Sequence, residues 1–194
     1  THEQIMEIVQ GPDFATGGVL VDSRDVISAA YASGRGAMRV RARFSTGRLD
    51  DGSWEATGIE KQSGGTWQLV VSEIPYQVQK GKLIEQIAQL IADKKLPILE
   101  DVRDESDEAI RIVLVPKSRN VDPDDLKNAL FRLTDLETRF SLNMNVLDAE
   151  RTPRVMSIGE VLRHWLRHQL EVLVRKSQHR LEKIRQAKVA VEAE

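Results

Sequence analysis

Cysteine is missing from the 194-residue sequence. That excludes a disulfide framework, a thiolate nucleophile and any cysteine-based metal site. The absence fits a reducing compartment, and the cytoplasm is the expected location. No apolar run approaches the roughly 20 residues that a membrane-spanning helix needs, so no membrane association is expected. The opening Thr1-His2-Glu3-Gln4 has neither the basic nor the apolar region of a signal peptide. A strong net charge is lacking too, since the formal total is -2. That sum hides an uneven distribution. Glu100 to Glu108 is acidic, interrupted by Arg103, and Arg151 to Lys188 is basic, so a nucleic-acid face remains compatible with the total. The chain starts without Met and ends in helix-like sequence, Ile184 to Glu194, with no Gly or Pro stop. It reads as a piece of a longer protein.

What is present suffices for a core, with 41% apolar and 30% charged residues. Periodicity predicts short helices over 3–9 and 24–32, the second ended by Gly34-Arg35-Gly36. Ala37 to Phe44 alternates strictly. Met38, Val40, Ala42 and Phe44 face one way and Arg39, Arg41 and Arg43 the other, which predicts a half-buried strand with a wholly cationic outer face. Ser45 to Gly65 is rich in Gly, Ser and Asp and reads as a hairpin region holding Trp54 and Ile59. Thr66 to Ile74 and Ile110 to Val115 read as strands closed by Pro75 and Pro116. Lys82 to Lys94 predicts a helix striped with Leu83, Ile84, Ile87, Leu90 and Ile91. Asp122 is a good N-cap for a further helix with Pro123 at its first position. Ser141 to Leu147 reads as a last short strand. From Gly159 one long helix is expected, with a coiled-coil-like stripe of Leu166, Leu170, Leu173, Leu181, Ile184 and Val191. The irregular order of elements predicts an α+β fold: a mixed sheet with packed helices over 1–157, then the start of a coiled-coil arm over 158–194.

Two features carry candidate chemistry. Alternate strand residues lie roughly 6–7 Å apart, close to the phosphate spacing along one DNA strand. Arg39, Arg41 and Arg43, extended by Arg35, are therefore placed to follow a phosphate backbone without reading its sequence. The competing reading is a solvated strand face with surface ion pairs. The second feature is Gly17-Gly18-Val19-Leu20, apolar side chains after a glycine turn. It reads either as a wedge between base pairs or as an ordinary strand start. His164 and His168 are spaced i, i+4, but no Glu sits beside them as a base, and a basic helix surface is the better reading than a zinc site. Asp101 to Glu108 lacks the central Gly and spacing of a calcium loop and reads as a solvated acidic loop. No metal site is expected.

Several strings resemble the A subunits of bacterial type IIA DNA topoisomerases, gyrase and topoisomerase IV. They are Gly11-Pro12-Asp13-Phe14 with Thr16, Tyr31 with Gly34-Arg35-Gly36, and Glu73-Ile74-Pro75-Tyr76-Gln77-Val78 with Lys80 and Leu83-Ile84-Glu85. Arg103-Asp104-Glu105-Ser106-Asp107, Asn143-Met144 and the basic helix after Ile158 complete the series, in family order over nearly the whole chain. Lys94-Lys95-Leu96-Pro97 and Thr134-Asp135-Leu136-Glu137 lean toward topoisomerase IV. The resemblance implies the tower domain of the breakage-reunion core and the start of its coiled-coil arm. In that family the tower grips and bends the gate DNA, and an isoleucine after the Gly-Pro-Asp-Phe string wedges between base pairs. The matching position is Leu20, with Val19 the other candidate. The resemblance also implies phosphate contacts by the arginine row and by Lys80 and Lys82.

The family's nucleophilic tyrosine follows an arginine in a winged-helix domain. Neither Tyr31 nor Tyr76 has that neighbour, so no catalytic residue is expected here. Ala15 stands where the family has proline. The implied parent is an ATP-dependent double-strand-passage enzyme that decatenates and relaxes DNA. Its implied partners are double-stranded DNA and a B subunit, in an A2B2 assembly. ATP and Mg2+ are implied to bind the B subunit, leaving no cofactor in this chain. The alternative function is a structural arm that carries the coiled coil and touches DNA incidentally.

Overall fold

The computed structural model describes residues 1–48, 54–55 and 57–192. In chain order the elements are α1 (His2–Ile8), β1 (Val19–Leu20), α2 (Arg24–Ser33), β2 (Arg35–Arg41), β3 (Arg43–Phe44), β4 (Gly47–Arg48), β5 (Trp54–Glu55), β6 (Ile59–Lys61) and β7 (Trp67–Glu73). They continue with α3 (Lys80–Ala92), β8 (Leu99–Asp104), β9 (Ile112–Pro116), α4 (Pro123–Leu133), β10 (Glu137–Asn143), β11 (Asn145–Leu147), β12 (Pro153–Val155) and α5 (Ile158–Glu192). The fold is α+β and ends in a long helix, as the sequence predicts. Backbone contacts divide the chain into two units, Thr1–Gln10 with Arg24–Gly36 and Leu142–Glu194, and Gly11–Ser23 with Ala37–Ser141. This division does not coincide with the boundary expected after 157, because residues 142–157 and the two N-terminal helices group with α5.

The second unit holds the main core. β7 and β9 are near-continuous apolar runs, and such strands pair at the centre of a sheet. They lie antiparallel with Leu69 opposite Leu114 and Val71 opposite Ile112, all four at 0% exposure. α3 and α4 supply Leu83, Ile87, Leu126 and Leu130 to the same cluster, each worth about 1.5–3 kcal/mol on burial. Asp122 caps α4 as predicted, accepting the amides of Asp124 at 2.8 Å and Asp125 at 3.2 Å. α3 begins at Lys80, slightly earlier than expected, and stops before Lys94, which turns to φ 57. The acidic run is not a loop in its first half. Residues 99–104 form β8 on the free edge of β9, with Leu99 buried and Val102 half-buried. Two apolar residues, set three apart across a bulge between Leu99 and Asp101, were enough for an edge strand once a partner edge existed.

β3 and β6 share the other edge of β7, with Phe44 opposite Val71 and Ile59 opposite Leu69. β4 and β5 pair antiparallel, Arg48 opposite Trp54. The hairpin expected with Trp54 is therefore β4–β5, whereas Ile59 belongs to the main sheet; residues 49–53 and 56 lie outside the described residues. β1, β2 and β10 form a separate three-stranded sheet. β10 starts at Glu137, earlier than the predicted Ser141.

In the first unit, Thr1 and Gln4 form a capping box on α1. Ser157 and Glu160 form another at α5, Ser157 N–H donating to Glu160 Oε2 at 2.8 Å and Glu160 N–H to Ser157 Oγ at 3.3 Å. β11 and β12 make a hairpin, with Val146 opposite Arg154, and β12 has no counterpart among the predicted strands. α5 runs 35 residues, about 50 Å at helical rise. Its predicted stripe is exposed from Leu166 to Ile184, with Leu166, Leu170 and Leu173 each near 60%, while the side chain of Val191 lies outside the described residues. Among the described residues no helix is long and apolar enough to cross a membrane.

Candidate nucleic-acid interface

The alternation from Ala37 to Phe44 is present in the structure. Met38, Val40, Ala42 and Phe44 are buried, while Arg39, Arg41 and Arg43 keep side-chain exposures of 41%, 33% and 48%. The strand itself is cut at Ala42. β2 belongs to the small sheet and β3 to the large one, and Ala42 N–H donates to the Leu136 carbonyl at 2.7 Å. The arginine row thus joins two sheets.

The outer face is not wholly cationic, which corrects the expectation. Arg39 Nε donates to Asp22 at 3.0 Å, Arg41 Nε to Glu137, and Arg43 Nε to Glu73 at 2.9 Å. The three arginines meet three carboxylates, brought from the segment after β1, from β10 and from β7. Arg39 N–H also donates to Asp22. That backbone bond, then the Arg39 side chain, holds the Asp22 carboxyl below its ordinary value. In every pair the short contact uses Nε. Among the described residues the terminal nitrogens have only long contacts, Arg39 Nη1 to Glu137 at 4.0 Å and Arg43 Nη2 to the Gly18 carbonyl at 3.4 Å. A guanidinium has five donors, so an arginine held through Nε still presents donors for a phosphate. Arg41 additionally lies over the Phe131 ring, 4.5 Å from its centroid.

The glycine turn leads into this face. β1 pairs with β2 so that Val19 is opposite Arg41 and Leu20 opposite Val40. Directly opposed residues share a face. Val19 therefore stands on the arginine face, 42% exposed, and Leu20 is half-buried on the face of Val40. Of the two wedge candidates, Val19 is the one presented outward. The segment is anchored upstream by Phe14, which stacks on Tyr76 at 5.3 Å and meets Phe140 edge-on at 5.0 Å. Downstream, Val21 N–H donates to the Arg39 carbonyl at 3.1 Å. Gly36 and the exposed Arg35 open β2 in the first unit.

Lys80 and Lys82 differ. Lys80 Nζ is bound to Asp104, 2.8 Å from Oδ2. This ammonium, followed by Ser106, pulls the Asp104 carboxyl down to about 2. A depressed carboxyl stabilises the fold above its unfolded pKa and loses that contribution as pH falls toward about 2. The pair is more than a third exposed, so its worth is small. Lys80→Ala is expected to return the Asp104 midpoint toward the ordinary range in a carboxyl NMR titration. An unmoved midpoint would mean Lys80 is not engaged by Asp104. Lys82 is exposed and lines a cavity of about 360 Å³ with Tyr76, Asp135 and Arg139.

Sequence reasoning missed Asp22, Glu73, Glu137 and Arg139. The first three partner arginines 17, 30 and 96 residues away, and no local pattern announces such pairs. Glu73 and Glu137 had a signal only as members of the Glu73-Ile74-Pro75-Tyr76 and Thr134-Asp135-Leu136-Glu137 strings. His164 lies 3.2 Å from Arg154 Nη2, and among the described residues no group of three His, Cys, Asp or Glu is arranged for a metal ion.

Residues 1–193 match the model of the DNA gyrase/topoisomerase IV A-subunit family. The chain belongs to this family. It is 48% identical over 182 residues to the DNA topoisomerase 4 A-subunit of Rickettsia prowazekii, covering 94% of this chain and 23% of that protein. Against the same-named protein of Caulobacter vibrioides it is 50% identical over 184 residues, covering 95% and 22%. Against that of Escherichia coli K12 it is 37% identical over 186 residues, covering 95% and 22%. The chain thus spans less than a quarter of the length of these relatives. Family membership agrees with the resemblance carried by Gly11-Pro12-Asp13-Phe14 and Glu73-Ile74-Pro75-Tyr76.

Proposed function

We propose that this chain binds and bends the gate DNA in an ATP-dependent type II DNA topoisomerase that decatenates and relaxes DNA by double-strand passage. One observation carries the reading. An exposed apolar residue, Val19, shares a face with Arg39 and Arg41 at the exit of a glycine turn whose Gly18 carbonyl accepts from Arg43. A bender of short duplex must offset several kcal/mol of deformation. A cationic grip beside an apolar wedge is the combination that does so. The grip comprises the Nη groups of the three arginines, Lys82 and, on release from Asp104, Lys80; Arg35, in the first unit, is a separate phosphate contact. The wedge is Val19, with Leu20 next to it.

Strand breakage is assigned elsewhere in the parent protein. Tyr31 is 6% exposed within α2, and burial pushes its hydroxyl pKa up, the wrong direction for a nucleophile. Tyr76 is stacked on Phe14. The isolated chain is therefore expected to be inactive in cleavage. The proposed partners are double-stranded DNA and a B subunit that supplies the ATP and Mg2+ sites, in an A2B2 assembly acting on the chromosome in the cytoplasm.

A second reading has its own observation. The α5 stripe is exposed from Leu166 to Ile184, and a structural arm explains it as one face of a coiled coil. The two readings part on one experiment, made in the full-length parent protein complexed with its B subunit. Val19→Ala is expected to reduce the bend of a doubly labelled duplex, read by energy transfer between its ends. Leu20→Ala is expected to reduce it less. Full bending by both variants would leave the structural arm as the better account.

A further inference from the structure

Glu73, the last residue of β7, is held on two sides. Its Oε2 accepts the Gly18 N–H at 2.6 Å and the Arg43 Nε–H at 2.9 Å. Arg43 Nη2 in turn donates to the Gly18 carbonyl at 3.4 Å. One ion pair therefore holds both backbone groups of Gly18. Gly17 and Gly18 take φ 71 and 97, and a Cβ on Gly17 would stand 2.2 Å from Glu73 Oε2. Glycine at 17 is what lets the carboxylate close over the turn.

The residue that follows this clamp is Val19. β1 is two residues long, too short to fix its own placement by pairing alone. Its position is set by the attachments at its ends: Glu73 on the Gly18 amide before it, and the Val21 amide on the Arg39 carbonyl with Asp22 on the Arg39 amide after it. Glu73 is the attachment nearest the exposed side chain, and it also holds the arginine beside the turn.

We propose that Glu73 is a positioning residue for DNA bending. Through the Gly18 amide it fixes the direction in which Val19 points. Through Arg43 it ties that direction to the group that meets the phosphate backbone. The inference rests on Val19 acting as the apolar wedge, and the test separates the two. Glu73→Ala, Glu73→Gln and Val19→Ala are placed in the full-length parent protein complexed with its B subunit. Duplex affinity, bend and hydrogen exchange of the peptide covering residues 14–21 are measured. Glu73→Ala is expected to speed exchange at Gly18, to hold duplex with equal or greater affinity because Arg43 is released, and to bend it several-fold less. Glu73→Gln keeps an oxygen that accepts the Gly18 N–H, so most of the bend is expected to survive. Should Glu73→Ala not fold, Gly17→Ala displaces the carboxylate with its own methyl and is expected to show the same loss of bend. Joint loss of affinity, bend and melting temperature in both Glu73 variants would mark a merely structural residue and overturn the proposal. So would a Glu73→Ala enzyme that bends like wild type while Val19→Ala does not. Full bending by Val19→Ala would overturn the wedge reading itself.

Discussion

Replacing Arg39, Arg41 and Arg43 together by glutamine is expected to flatten the salt dependence of duplex binding by about 2.7 log–log units, at about 0.9 per lost phosphate contact. Across a fourfold change in salt, that is about a 40-fold difference in how affinity responds. The three carboxylates now engaging Nε, those of Asp22, Glu137 and Glu73, would face the backbone uncompensated and weaken binding further. Glutamine retains donors, so the turn and sheet contacts are disturbed less than by reversing the charge. The measurement is a salt titration of duplex binding by the full-length parent protein with its B subunit. An unchanged slope would mean the arginines stay with their carboxylates when DNA arrives. They would then serve to hold together the strands of their own sheets rather than to grip phosphate. The pairs are partly exposed, between 14% and 48% per side chain, so their loss is expected to cost little stability. A change in slope is therefore separable from unfolding.

Leu114→Ala is expected to destabilise the chain by about 2–5 kcal/mol. Leu114 is fully buried on β9, between Leu69 of β7 and Val102 of β8. Its removal opens a cavity where the sheet meets α3 and α4. Leu147→Ala is the control. Leu147 is 67% exposed at the end of β11, and surface changes of this kind usually stay within about 0.5 kcal/mol. Urea unfolding of the two variants distinguishes them. Equal midpoints would mean that the cluster around β7 and β9 is not what holds this unit together. The placement of the arginine row depends on this core, because β3 hangs from the edge of β7.

The elements with strong local signals were readable one by one. Asp122-Pro123 announced α4, the stripe of Leu83 and Ile87 announced α3, and the alternation from Met38 to Phe44 set which side chains are buried. Where reading failed, a distant partner decided. Residues 99–104 became a strand because β9 offered an edge. Residues 137–140 became part of β10, extending the predicted strand at its start. Pro153–Val155 paired with β11 although its sequence has no strand period.

The candidate interface divides along the same line. By itself the sequence determined the family, the glycine turn with two apolar residues after it, and the alternation that turns three arginines outward. These depend on residue identity and near-neighbour spacing, which the chain carries in one dimension. Only the tertiary structure decided that the row spans two sheets, and that each arginine meets a carboxylate from another element. It alone decided that Val19 rather than Leu20 shares the arginine face, and that Glu73 closes over the turn. Those facts follow from strand register and from contacts across 17 to 96 residues. A one-residue change of register would exchange the two faces, and nothing in the local sequence around Gly17 and Gly18 specifies which register β1 takes.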